Sequence, residues 1–463
     1  GGLFAGLNFW GWGGLAGQSE TNIYWQPGDD YCGDPAQAQQ GLNSVYACDE
    51  STIAVIKTAT EAISKALLPE ARFVLEQNAG IFEGEGPHTI EVSLNAAREV
   101  EADFELEVST DFGEAVQTFS KSAELVKGPN GLAFDLGLEP GFYKAVLYIV
   151  RNGVRTELAR TNLGFDPEQI ISAQDKQPDF EEFWSNTLQE LASVAPEYKL
   201  IPLKEHSNDV REAFRVEMKS FGGETISGLL YMPVADGRYP AMISYMGYGS
   251  DVWYADPSSN PQMIEFMLCI RNQAFNRQPG EKDDWCARGI ADKNTYYYRG
   301  AFADAVRAID FVCSLDKTDT DRVFASGESQ GGALTFAAAS LDDRLKAIAP
   351  SAPFLCDYPD YFVLAGWPGD PIKAAAKEAG MSDEDMYKVL SYFDIKNFTD
   401  RIQCPVIMAI GLQDPVCPPH TNFAAYNHIK TEKSWICYPL SGHNVWQQEG
   451  WPVAKEDFFE KYL

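Results

Sequence analysis

The chain has 463 residues, 45% of them apolar and 13% aromatic, which is enough for more than one packed core. Lys and Arg number 37 against 67 Asp and Glu, a formal charge of −30, so the surface repels nucleic acid and anionic membranes and favours neutral partners. No stretch of about 18 uninterrupted apolar residues is present, so no membrane-spanning helix is expected.

Three regions are expected: 1–67 as an N-terminal arm and helix, 68–167 as a β-sandwich, and 168–463 as a catalytic α/β domain. Residues 1–50 carry no Lys or Arg, are rich in Gly and aromatics, and follow neither the helix nor the strand period. Trp10, Trp12 and Trp25 fit core anchors or sugar-stacking platforms equally. Cys32 and Cys48 lie in a Gly/Pro/Asp-rich, loop-like stretch and suit a disulfide, whereas the remaining seven of nine cysteines read as buried thiols. The start at Gly1, without Met or a basic segment, suggests a processed N-terminus and an exported protein. Ser51-Thr52 followed by Ile53, Val55, Ile56, Ala59, Ile63 and Leu67 predicts an amphipathic helix with an N-cap.

Between about 70 and 165 the period becomes two, as in 88–94, 102–109 and 143–150, with turns at Gly128-Pro129-Asn130-Gly131 and Glu139-Pro140-Gly141. This predicts an immunoglobulin-like sandwich, either supporting its neighbour or binding glycan. From Asp166 onward strands are expected at 225–233, 239–245, 264–270, 322–326, 345–350, 405–411 and 433–439. Helices are expected near 179–193, 300–315, 331–341, 420–430 and 452–462. The alternation predicts a doubly wound α/β sheet of the α/β-hydrolase kind.

The chemistry concentrates in Gly327-Glu328-Ser329-Gln330-Gly331, between a short apolar strand and a small-residue helix. Glycines two positions either side of Ser329 permit the sharp reversal that exposes a serine hydroxyl as a nucleophile. Capping of the helix by Ser329 is the plainer alternative. A serine nucleophile needs a base and an acid to orient it, in the chain order Ser, Asp or Glu, His. Asp414 follows the apolar strand 405–411, and His443 sits in the loop Leu440-Ser441-Gly442-His443-Asn444 after the strand 433–439. The plainer alternatives are that Asp414 caps the helix near Pro418 and that His443 is a surface loop residue. The amide of Gln330 is expected to be one oxyanion donor, because it follows the nucleophile. No His-Glu-x-x-His or Cys-x-x-Cys pattern occurs, and the glycine-rich start lacks a phosphate-loop pattern, so no metal or organic cofactor is expected.

Several ordered blocks resemble the acetyl xylan esterase and cephalosporin C deacetylase family, carbohydrate esterase family 7, over roughly 168–463. They are Tyr245-Met246-Gly247-Tyr248, Arg288-Gly289-Ile290, Tyr296-Tyr297-Tyr298-Arg299, Gly327-Glu328-Ser329-Gln330-Gly331-Gly332, and Gly411-Leu412-Gln413-Asp414 with Cys417-Pro418-Pro419. Two departures are Arg271-Asn272-Gln273 for Arg-Gly-Gln and His443-Asn444 for His-Glu. The resemblance implies a serine esterase that releases acetate from sugars or oligosaccharides through an acyl-serine, with Ser329, Asp414 and His443 catalytic. It also implies the Tyr245 amide as second oxyanion donor, and a homo-oligomer. Another serine hydrolase on the same fold, a peptidase or a broader acyl esterase, and a non-catalytic glycan-binding protein are the alternatives. Phe354, Leu355, Tyr361, Phe362, Trp367 and Pro368, in the 350–398 segment where such folds insert lids, are expected either to wall the acyl pocket or to form a core under a cap.

Overall fold

The computed structural model describes residues 11–14, 44–46, 54, 58, 68–151 and 153–463. The chain forms two compact units. One comprises 1–71, 93–102 and 122–131; within it β1 (Gly11–Gly14) runs parallel to β2 (Ser44–Tyr46). Cys32, Cys48, Trp10 and Trp25 lie outside the described residues, as does the side chain of Trp12. Of the expected helix 51–67 only Ala54 and Thr58 are described, both helical, with the Thr58 hydroxyl donating to the Ala54 carbonyl at 2.9 Å.

The other unit comprises 72–92, 103–121 and 132–463. Its first part belongs to two sheets. One pairs β3 (Glu70–Val74), β5 (His88–Ala96) and β8 (Gly128–Leu136). The other has the order β4-β10-β9-β6-β7, from β4 (Ile81–Phe82), β6 (Val100–Thr110), β7 (Ala115–Leu125), β9 (Gly141–Arg151) and β10 (Val154–Phe165). The alternating sequence puts every second side chain inside: Phe104, Leu106 and Val108 on β6, Ala145, Leu147 and Ile149 on β9, Phe134 and Leu136 on β8.

The remaining strands build one nine-stranded sheet of order β11-β12-β13-β15-β14-β16-β17-β18-β19. They are β11 (Lys199–Pro202), β12 (Arg211–Lys219), β13 (Thr225–Pro233), β14 (Tyr239–Tyr245), β15 (Ile264–Cys269), β16 (Thr318–Glu328), β17 (Ala347–Ser351), β18 (Val406–Gly411) and β19 (Lys433–Tyr438). Pairing is antiparallel from β11 to β15 and parallel from β15 to β19. The parallel strands are the continuous apolar runs: all of β17 and β18 is buried, as strands covered on both faces must be. The first two strands, β11 and β12, went unread in the sequence. β11 is only four residues long, and β12 carries Arg211, Glu212, Arg215, Glu217 and Lys219, which break the apolar pattern.

Helices α1 (Phe180–Ser193), α2 (Tyr297–Ser314), α3 (Gln330–Leu341), α7 (Pro419–Tyr426) and α8 (Gly450–Glu460) accompany the sheet. Between β17 and β18 come α4 (Tyr358–Leu364), α5 (Gly366–Glu378) and α6 (Asp383–Leu390). Every residue of α3 is buried, and its small side chains let it lie close to the strands.

The earlier strands pack onto the hydrolase part beside one loop. The Asn162 amide donates to the Gln413 side-chain carbonyl at 2.8 Å, and Asn162 Nδ2 donates to the Leu412 carbonyl at 3.1 Å. Gln413 Nε2 donates to the Thr161 hydroxyl at 3.1 Å and to the Pro439 carbonyl at 2.9 Å. Phe142 of β9 meets Phe423 of α7 with ring centres 5.8 Å apart.

Candidate active site

The parallel strands end together on one side of the sheet, and four of them, β14, β16, β18 and β19, each deliver one expected residue. Tyr245 ends β14, Ser329 follows β16 directly, Asp414 follows β18 by three residues, and His443 follows β19 by five. Such carboxyl ends of parallel strands are where open α/β sheets place ligands.

Ser329 adopts φ 58°, ψ −119°, a conformation that costs a non-glycine residue of the order of 1–3 kcal/mol. Hydrogen bonds on both sides hold it: its N–H donates to the Ser351 carbonyl at 3.0 Å, and its carbonyl accepts from the amides of Phe354 and Ala333 at 3.0 and 3.1 Å. The flanking glycines are required by close approach. A Cβ on Gly327 would lie 2.5 Å from the Gly331 carbonyl and 2.7 Å from that of Tyr245, and one on Gly331 would overlap the Tyr245 carbonyl.

The structure brings Ser329, His443 and Asp414 together. With the imidazole proton on Nδ1, His443 donates to Asp414 Oδ2 at 2.8 Å, and the Ser329 hydroxyl donates to His443 Nε2 at 3.0 Å. Asp414 does not cap the helix near Pro418, whose N-cap is Pro418 with no side-chain cap; its other oxygen instead closes the turn before it, accepting from the amides of Val416 and Cys417 at 2.8 and 2.9 Å. Both of its oxygens are therefore engaged, in a side chain with no solvent exposure. Burial opposes the imidazolium form of His443, but the hydrogen bond to Asp414 carries its pKa upward.

Tyr245 is buried, and its hydroxyl donates to the Ala305 carbonyl at 2.9 Å, so the side chain is a core anchor while the backbone abuts the elbow. Gln330 opens α3, whose first N–H groups lack intrahelical partners. Its side chain is locked. Gln330 Nε2 and Oε1 exchange hydrogen bonds with Gln273 at 3.2 Å each, and the carbonyl also accepts from Tyr298 Oη at 3.1 Å. Tyr297 Oη accepts from Gln273 Nε2 at 3.0 Å and donates to the Arg271 carbonyl at 2.6 Å. The sequence blocks around 271–273 and 296–299 thus converge on the elbow. Asn272, at φ +65°, occupies a conformation that glycine adopts freely and asparagine tolerates.

A cavity of about 1080 Å³ opens over Ser329 and His443. Its wall includes Tyr248, Asp251, Trp253, Glu328, Trp367, Trp446 and Lys455. Of the six lid residues singled out in the sequence, Trp367 lines this cavity, whereas Phe354, Leu355, Tyr361 and Phe362 belong to the main core. Their apolar pattern is that of a cap core, the alternative weighed for them.

Glu328 fills the variable position just before Ser329. Its carboxylate accepts from the Trp446 amide at 2.8 Å and from the Ser351 hydroxyl at 3.4 Å, tying the His443 loop to the elbow. Burial pushes this carboxyl up to about 7 despite nearby His443 and those hydrogen bonds. A carboxylate in the variable place of Gly-x-Ser-x-Gly was the available signal. Among the described residues no group of three or more His, Cys, Asp or Glu side chains is arranged to hold a metal ion.

Residues 168–451 match the family model described as acetyl xylan esterase (AXE1). The chain belongs to the acetyl xylan esterase family. It is accordingly a carboxylic ester hydrolase on the α/β-hydrolase fold. Acetyl esterase Axe7A of Xylanibacter ruminicola is 26% identical over 360 residues, covering 73% of this chain and 79% of that protein. The acetyl xylan esterase of Paenibacillus sp. R4 superposes with TM-score 0.60 at 30% identity, over 64% of this chain and 98% of its own. Acetyl xylan esterase 1 of Thermoanaerobacterium sp. JW/SL YS485 gives TM-score 0.59 at 27% identity, over 64% and 97%. Residues 1–67 match a different model, described as GH family 5 beta-mannosidase-like.

Proposed function

We propose that Ser329, His443 and Asp414 are the nucleophile, base and orienting acid with which this esterase removes O-acetyl groups from saccharides. The observation that carries the reading is the continuous relay from Ser329 Oγ to His443 at 3.0 Å and on to Asp414 at 2.8 Å, facing a cavity, in an acetyl xylan esterase family chain.

In the first half-reaction Ser329 Oγ attacks the acetyl carbonyl carbon while His443 Nε2 takes its proton. Asp414 stabilises the imidazolium through Nδ1. Charge develops on the carbonyl oxygen, and the amides of Tyr245 and Gln330 are the proposed donors to it, each worth about 2.7–4 kcal/mol on precedent for such sites. His443 returns its proton to the departing sugar hydroxyl, leaving acetyl-Ser329. Water then gives its proton to His443 and its oxygen to the acyl carbon, releasing acetate and restoring the serine. Besides the ester and water, the steps use only Ser329, His443, Asp414 and the two backbone amides.

The match of residues 1–67 to a beta-mannosidase-like model favours acetylated mannan as a substrate beside xylan. Among the described residues no helix is long and apolar enough to cross a membrane. The test measures acetate release from acetylated xylo- and manno-oligosaccharides, cephalosporin C, and butyryl and octanoyl esters, with Ser329→Ala alongside. Acetate-selective turnover lost in Ser329→Ala is the expected result. Preference for long acyl chains, or activity surviving the substitution, would refute it.

A further inference from the structure

Three tryptophans are exposed among the described residues, Trp253 (53%), Trp367 (39%) and Trp446 (62%), and all three line the cavity that holds Ser329 and His443. They come from separate segments: the loop between β14 and β15, the lid, and the loop after β19. Leaving an indole in water forgoes about 25 cal/mol per Å² of apolar burial, and clustered exposed apolar surface with a polar rim marks a binding groove.

Each indole is held outward by an anchored neighbour. Val252 and Ala255 pack against the cluster of Leu229, Tyr231 and Met246, and Tyr254 stacks on His206 with ring centres 3.7 Å apart, so the intervening Trp253 faces out from a fixed segment. Val445 is fully buried, and the Trp446 amide is bound to Glu328, which leaves the Trp446 side chain beside the cavity. Trp367 stacks on Phe354 at 5.2 Å and meets the Tyr248 ring edge-on at 5.0 Å, making it the fixed wall.

Polar groups alternate with these rings: Ser250, Asp251, Asn444 and Lys455 share the lining. A flat apolar face beside hydroxyl-binding groups matches a pyranose ring, whose C–H face is apolar and whose rim carries hydroxyls. The volume of about 1080 Å³ also exceeds what one acetylated sugar fills, since pockets of about 300–1,000 Å³ enclose drug-sized molecules. The net charge of −30 points to an uncharged chain over a uronic acid polymer.

We propose that Trp253 and Trp446 are stacking platforms for sugar units neighbouring the one that carries the acetyl ester. The site then takes oligosaccharide chains in preference to isolated sugar acetates. This rests on the deacetylase reading above and adds chain length to it.

The experiment compares kcat/KM per acetyl group on mono-, di- and tetrasaccharides of acetylated xylose and mannose, with 4-nitrophenyl acetate as a sugar-free ester. Wild type is expected to favour the tetrasaccharide over the monosaccharide by about tenfold, the size of one good aromatic contact. Trp253→Ala and Trp446→Ala should each remove most of that preference through KM, Trp446→Phe should retain most of it, and Ile171→Ala, exposed elsewhere (93%), should leave it intact. A chain-length ratio near one in wild type overturns the inference while leaving the deacetylase reading standing. So does an equal loss on all substrates, or a sedimentation shift in Trp446→Ala showing that the indoles bury one copy against another. No turnover of any acetyl ester sinks the underlying reading and this inference with it.

Discussion

His420 Nδ1 lies 3.0 Å from a carboxylate oxygen of Asp111, pinning α7 to the turn after β6, while Nε2 stands 3.6 Å from Asp360 on α4. Burial disfavours the imidazolium, but the two carboxylates outweigh it and carry the pKa up to about 9. A folded-state pKa raised above about 6.5 supplies stability that is complete below that value and lost as pH rises through about 9. The shift is worth at most about 3 kcal/mol. His420→Gln should therefore lower the thermal midpoint at pH 6 and approach wild type above pH 9.5. Equal losses at both pH values would assign the effect to packing.

Asp414→Asn separates the two duties of this side chain. The retained Oδ1 still accepts from Val416 and Cys417, so the turn and the overall stability should persist. The amide cannot accept from His443 Nδ1 at the other position in the same way, which favours the wrong tautomer. A fall in kcat of about 10³–10⁴ is expected, by analogy with the corresponding change in serine proteases. Asp414→Ala should in addition lose stability by leaving two amides unpaired, which urea titration of both variants would resolve.

Gly331→Ala drives a methyl into the Tyr245 carbonyl, backbone against backbone, where no side chain can yield. The variant should lose both activity and several kcal/mol of stability, the scale of severe core strain. Gly280→Ala, at φ +79° with open space around the new methyl, tests strain without overlap and should retain activity. Comparable damage in the two would remove the close-approach argument.

Glu328 titrates near 7 because burial resists its charge. An acid with a raised folded pKa costs stability as pH climbs through that pKa, so Glu328→Gln should flatten the stability curve between pH 5 and 8 and gain on wild type at the upper end. Removing the anion also makes the His443 imidazolium less favourable, shifting the acid limb of kcat/KM to lower pH. A pH–rate profile on 4-nitrophenyl acetate reads the shift; an unmoved limb would uncouple the two residues.

The elbow, the acid loop and the histidine loop were legible because each requires residue types that leave a trace: paired glycines, an acid after an apolar strand, a histidine among small residues. Parallel strands were legible from unbroken apolar runs such as 405–411. Strands β11 and β12 were not, since the charged Lys199, Arg211, Glu212, Arg215 and Glu217 mask an edge of the sheet. The platform role of Trp253 and Trp446 left no local pattern either, because exposure depends on what packs around Val252, Ala255 and Val445. The functions of Gln273 and Tyr298 depend on contacts with Gln330 more than 30 residues away, and only their recurrence as sequence blocks hinted at them.

Gln413, beside the acid, is gripped by Thr161 and Asn162 of β10, so that strand acts as a splint for the loop that carries Asp414. The Paenibacillus esterase matches 64% of this chain with nearly its whole length, so the catalytic fold is built elsewhere with far less chain. Excising the hydrolase at residue 167 would leave the Gln413 side-chain carbonyl and the Leu412 carbonyl to water and free the acid loop from its outer brace, while Gln413 Nε2 keeps the Pro439 carbonyl. Strands β9 and β10 are therefore not detachable ornament: transplanting the hydrolase onto another partner requires carrying them with it, or redesigning the surface they cover.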